Sequence, residues 1–118
     1  MDKGNNPLGN IYISHRAIAT IAYQSSLESY GVVGLAAKNI AEDLVQAIVK
    51  DPTLGVEVQF VGNKLLINLY IIVEYGTRIA SVATSVSENV KFRVENVTGL
   101  EVDRVNVNVR GLRISNPD

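Results

Sequence analysis

His15 is the one histidine of the chain, and imidazole is the side chain best suited to moving protons near neutral pH. It follows Ser14, a residue type that caps helices, so it falls in the first turn of a predicted helix, where the positive end of the helix dipole opposes a protonated ring. With no cysteine in the chain, a lone histidine cannot build a zinc site or a catalytic triad from itself. The reading adopted is a structural or surface residue. Paired carboxylates are the other route to acid–base chemistry. They occur at Glu42-Asp43 and at Glu101 with Asp103, on stretches that the hydrophobic periodicity leaves to solvent. Glu74 ends an apolar run just before Tyr75-Gly76 and is placed to pair with a cation such as Arg78. A salt bridge or capping contact is the expected role, and no catalytic, cofactor-binding or metal-ligating residue is expected.

Gly31-Val-Val-Gly34 has the Gly-x-x-Gly spacing with which KH domains clamp a nucleic-acid backbone. There the intervening pair is usually polar or basic, whereas two valines prefer burial, and the next cation is Lys38. Lys91, Arg93, Arg104, Arg110 and Arg113 gather toward the C-terminus, but Glu95, Glu101 and Asp103 are interleaved with them, the pattern of a solvated mixed face. Arg78 and Lys91 on a predicted helix, with Asn106, Asn108 and Arg110 on the exposed side of a predicted last strand, form the candidate interaction surface. Tyr12, Tyr23, Tyr30, Tyr70 and Tyr75 suit interface anchors or core positions with a satisfied hydroxyl equally well.

The elements that must position these groups follow from periodicity. Ile11 and Ile13 alternate with Asn10, Tyr12 and Ser14 as in a short strand. Ile18, Ile21, Ala22 and Ser25 then recur at helical spacing until Gly31 interrupts near Ser29. Gly31 to Ala37 is read as a strand, and Ile40, Leu44 and Ile48 as one side of a second helix ending near Asp51, before Pro52. Val56, Val58 and Phe60 alternate with polar neighbours, Gly62-Asn63 makes a tight turn, and Lys64 opens the run to Val73, so the stretch is a hairpin. Its second strand is apolar on both faces and is predicted to be central, with a helix layer on one side and further cover on the other. Thr77 is the predicted cap of a long helix over about 78 to 97 that faces Ile79, Val82, Ala83, Val86, Val90, Val94 and Val97 inward. Gly99 ends it. Val105, Val107 and Val109 alternate in a last strand, and Val102, out of step, predicts a bulge near Asp103 and Arg104.

The chain has 118 residues, 47% of them hydrophobic and 19% charged, with a formal net charge of −1. That is the size of one domain able to bury a core without disulfides, and too balanced in charge to announce a phosphate-binding face. The polar opening residues lack the apolar stretch of a signal peptide, and the run from Leu65 to Val73 is about half a membrane span. The expectation is one domain over 1–118, flexible at 1–8 and 115–118, in the cytoplasm and not itself inserted in a membrane.

Four motifs in order complete the pattern: Gly9-Asn-Ile-Tyr-Ile-Ser14, Tyr30-Gly-Val-Val-Gly-Leu-Ala-Ala-Lys-Asn39, Tyr70-Ile-Ile-Val-Glu-Tyr-Gly-Thr77, and Thr98-Gly-Leu-Glu-Val102 with Val105-Asn-Val-Asn-Val-Arg-Gly-Leu-Arg113. Together they resemble the bacterial alkaline shock protein family, found mainly in Gram-positive organisms, and in particular its short housekeeping-type members. A departure is Ser87, where many relatives carry glutamine. The resemblance implies a cytoplasmic protein linked to cell-envelope stress, without enzymatic activity, prone to self-association and in some members held near the membrane by a separate anchoring protein. Within that frame Gly31, Gly34, Glu74, Tyr75, Gly76 and Gly99 read as a structural signature at element junctions.

The expected architecture is α+β: a two-layer single domain with a small mixed or antiparallel sheet and helices packed on it. The expected function is a non-catalytic interaction module that binds itself or a membrane-anchored envelope protein, with no cofactor and no small-molecule substrate. The second reading is a nucleic-acid-binding module using the Gly31–Lys38 loop or the C-terminal cations.

Overall fold

The computed structural model describes residues 14–38 and 48–114. All but the last residue of the strand expected at Asn10–Ser14, together with the flexible ends, Tyr12, Glu42-Asp43 and the middle of the second predicted helix, lie outside the described residues. The elements run α1 (His15–Leu27), β1 (Val32–Ala36), β2 (Ile48–Val49), α2 (Pro52–Gly55), β3 (Val56–Val61), β4 (Lys64–Glu74), α3 (Ile79–Thr98) and β5 (Val102–Arg113).

β4 is the axis of the sheet. β5 pairs with it in parallel along Leu65–Glu74, while β3 and β1, both antiparallel, share its other edge at Lys64–Leu69 and Ile71–Val73. The sheet is therefore mixed, as the α+β expectation allowed. Alternation in β4 decides which face holds the core: Leu65, Ile67, Leu69, Ile71 and Val73 are fully buried against the helix layer, while Leu66, Asn68 and Tyr70 on the opposite face are half-buried. Among the described residues no helix covers that opposite face. Ile72 is its buried exception, flanked in register by Gly34 on β1 and Gly111 on β5.

α1 and α3 lie side by side on the core face. Ser14 caps α1 as predicted, its Oγ accepting from the Ala17 amide at 3.0 Å, and His15 opens the helix and stacks on Phe60 at 5.5 Å. The buried stripe of α1 is Ile18, Ala19, Ala22, Ser25 and Ser26. The serines are tolerated there because each hydroxyl donates to the carbonyl four residues back. α3 buries Val82, Val86, Val90 and Val94. The predicted stripe was longer, but Ile79 and Val97, in the first and last turns of α3, are 43% and 61% exposed. A polar clasp joins the helices: Asn89 Nδ2 donates to Ser29 Oγ at 2.9 Å and Arg93 to Glu28 at 2.6 Å.

Three local expectations change. Ile48 is not helical, since Ile48–Val49 pairs with Ala36 and Leu35 as β2. Pro52 begins a helix instead of ending one, taking the first position of α2, where its missing N–H costs nothing. Thr77 does not cap α3: its Oγ1 donates to the Glu74 carbonyl at 2.7 Å, and Arg78 holds the cap position without a side-chain cap bond. The predicted bulge is found, because Leu65 pairs with Val102 and Leu66 with Arg104, leaving Asp103 over.

Asp51 caps α2. Its carboxyl is held below the ordinary aspartate range by hydrogen bonds from the Thr53 hydroxyl and amide, with Arg16 at 3.3 Å adding charge attraction. A carboxyl with a lowered folded-state pKa contributes stability that is complete above the unfolded value and is lost as pH falls through the folded one. Wild type is therefore expected to melt above Asp51→Asn at neutral pH, with the two melting temperatures converging in strong acid. A gap independent of pH in thermal scans would contradict this account of the cap.

Candidate functional site

The open face of the sheet is built by three strands in register. Glu57 of β3 stands opposite Asn68 of β4, which stands opposite Asn106 of β5. Their side chains form a ladder across the strands: Gln59 donates to Glu57 at 3.1 Å, Asn68 to Glu57 at 3.3 Å, and Asn106 to the Asn68 carbonyl oxygen at 2.9 Å. One step on, Asn108 Nδ2 donates to the Leu69 carbonyl at 3.1 Å. This array fixes amide dipoles on a surface that water reaches.

Arg110 reaches the predicted face but is not simply exposed there. Ile71 pairs with Val109 and Ile72 with Gly111, so Arg110 is the extra residue of a second bulge. Its guanidinium lies over the Tyr70 ring, 4.9 Å from the centroid, and reaches the Lys38 carbonyl at 3.5 Å. The buried Nε makes no hydrogen bond. The side chain is half-buried, and its charge is held against an aromatic face more than it is offered to solvent.

The candidate residues therefore divide. Asn106, Asn108 and Arg110 come together with Asn68 and Tyr70 on the open face, whereas Arg78 holds the N-cap of α3 and Lys91 lies within it, in the layer on the other side of the sheet. Glu57, Gln59 and Asn68 are functional candidates that the sequence reading passed over. The available signal was Asn68, a polar residue inside the apolar run, but its partners are set by register. A cleft of about 660 Å³ runs beside β5, where Thr84, Ser87 and Glu88 of α3 face Val105–Asn108.

The other candidates are accounted for structurally. Gly31, Gly76 and Gly99 take positive φ at junctions. Glu74 is half-buried at the end of β4, and Tyr75 is 65% exposed in the turn after it. Glu101 pairs with Lys64 at 3.3 Å and Asp103 with Arg104 at 3.7 Å, so the expected carboxylate pair is split between two cations. Tyr23 donates to the Val49 carbonyl at 3.1 Å. The Gly31–Lys38 stretch is mostly strand, with Gly34 buried in β1 between β2 and β4. Its backbone is taken up in the sheet, which removes the loop, one of the two features on which the nucleic-acid reading was based, the other being the C-terminal cations. Among the described residues no group of three or more His, Cys, Asp or Glu side chains could hold a metal ion.

Fold and face together define a small α+β domain with a helix-covered core and a polar, open sheet side. The chain belongs to the alkaline shock protein 23 family, described as having a cell envelope-related function, whose model matches residues 3–114. It is 41% identical to the uncharacterized protein YloU of Bacillus subtilis (strain 168) over 92% of each chain. It is 33% identical to the uncharacterized protein Spy1614 of Streptococcus pyogenes serotype M6 over 95% of this chain and 94% of that one. Among solved structures it resembles MamM-CTD 215-293 at a TM-score of 0.51, with 13% identity and coverage of 83% of this chain and 99% of that chain. That likeness is one of fold.

Proposed function

We propose that this protein is a non-catalytic interaction module of the alkaline shock protein type, serving cell-envelope homeostasis or stress response. Its partner is a membrane-anchored envelope protein or a further copy of itself, engaged from the cytoplasm. The observation that carries the reading is the sheet side formed by β3, β4 and β5, which lacks a helix layer among the described residues and bears the Gln59–Glu57–Asn68–Asn106 ladder. Ordered amides with unused donors and acceptors suit a protein surface, where hydrogen bonds and fixed side chains give register at small entropic cost. The family description supports the envelope setting. Among the described residues no helix is long and apolar enough to cross a membrane, so attachment through a partner fits.

The test is affinity capture of the full chain from its native host after in-cell cross-linking. An envelope protein or a second copy of the chain is expected in the cross-linked product. A strict monomer, with neither captured, would contradict the proposal.

A further inference from the structure

We infer that the free edge of β5 pairs antiparallel with the β5 edge of a second copy, about a two-fold axis passing at Val107. The inference rests on the interaction reading above and names its surface. Among the described residues β5 has one strand neighbour, β4, so the backbone groups on its outer side are available to another strand, the usual template for sheet extension. One of those groups is already engaged, since the Ser87 hydroxyl of α3 donates to the Val105 carbonyl at 3.5 Å, and a carbonyl oxygen has a second lone pair for a strand partner.

The occupant is indicated by the strand's own sequence. Arg104-Val-Asn-Val-Asn-Val-Arg110 reads the same in both directions about Val107. A two-fold antiparallel pairing centred there is isologous, each residue meeting its mirror position. Val107 meets Val107 and Val105 meets Val109 on the helix side, while Asn106 meets Asn108 on the open face. Cross-strand pairs of this kind, valine on valine and amide on amide, are the units that stabilise a ladder.

The bulges support the same register. Bulges usually discourage edge pairing because they shift one face to the other. Here the extra residues are Asp103 and Arg110, one toward each end of the strand. Skipping both, the pairing continues as Gly111 with Arg104, Leu112 with Val102 and Arg113 with Glu101, and every described pair keeps its face. Gly111 leaves room for the Arg104 side chain, whose charge is already met by Asp103 at 3.7 Å. Arg110 is drawn inward over Tyr70, away from its counterpart. Val109 and Leu112, 36% and 41% exposed, would be covered on the helix side.

The experiment is sedimentation of the full-length chain and of two double variants, Asn106→Lys with Asn108→Lys and Asn106→Asp with Asn108→Asp. Both positions are exposed, and circular dichroism verifies that each variant folds. Wild type is expected to be a concentration-dependent dimer. Each double variant sets like charge against like at both central pairs and is expected to raise the dissociation constant at least about tenfold. Mixing the two variants in equal amounts is expected to restore a heterodimer. A monomeric wild type, double variants that dimerise as wild type does, or a mixture that fails to recover would each overturn the inference. So would a chain that dimerises only after residues 1–13 are removed, since the edge would then belong to its own N-terminal segment. A monomer that still captures an envelope protein in the native host would sink this inference and leave the interaction reading standing.

Discussion

Replacing Ile71 by alanine is expected to lower the free energy of unfolding by about 2–5 kcal/mol, the range for truncating a fully buried aliphatic side chain. Ile71 is 0% exposed and sits where β4 is paired on both edges, with Leu35 of β1 on one side and Val109 of β5 on the other. The backbone there is held by two ladders and cannot collapse into the space left behind, which places the cost toward the upper part of that range. Urea denaturation measures it as a shift in midpoint at unchanged slope. A loss below about 1 kcal/mol would mean that the core is not organised on the odd-numbered face of β4, since even removal of one buried methylene group costs about that much.

The second large effect is expected at Gly31. Its φ of +88° lies in the left-handed region, and a Cβ built there would fall 2.5 Å from Val82 Cγ2. The backbone cost of alanine in that region is about 1–2 kcal/mol, and forcing Val82 out of its packed position adds about 1–3 kcal/mol. Gly31→Ala is therefore expected to destabilise by about 2–5 kcal/mol when these two contributions combine. Gly76 provides the control, with φ +93° and no atom within 4 Å of a Cβ built there. Gly76→Ala should lose only the backbone contribution, so the difference between the variants isolates the contact between the β1 entry and α3. Equal losses would show that Val82 yields freely.

These two sites also show how far the residues reveal the fold. Elements whose pattern repeats were legible: the hairpin through Gly62-Asn63, the valine stripe at the centre of α3, and the bulge announced by the misfit of Val102. What depends on partners distant in the chain was not. Ile48 fits a helical face in sequence, but β1 offers it a strand neighbour, and pairing overrides a weak helical pattern. The run from Leu65 to Val73 reads as apolar on both faces, yet Leu66, Asn68 and Tyr70 face the side that no described helix covers. The burial of Ile72 reflects its own position between Gly34 and Gly111.

The candidate surface was half legible. Asn106 and Asn108 follow from simple alternation against Val105 and Val107. Arg110 is placed on the right face by the same alternation but not in the right setting, because a second bulge lays it over Tyr70, and a bulge is visible in a sequence only when the apolar residues beyond it fall out of step. Glu57 and Gln59 were seen as the polar side of a strand without a reason to join them to Asn106. Register supplies that reason, and register is a property of the sheet. Lys91 and Arg78 were grouped with the asparagines by exposure alone, and they lie in the other layer.

The central claim is that this protein works by contact through its β5 side. It is tested most directly by placing a photo-cross-linking amino acid at Asn106 in the full chain in its native host, with Gln24, exposed on α1, as the control position. The expected result is a discrete protein adduct from position 106, either a second copy or an envelope protein, and none from position 24. No adduct from 106, or the same adducts from both positions, would contradict the claim.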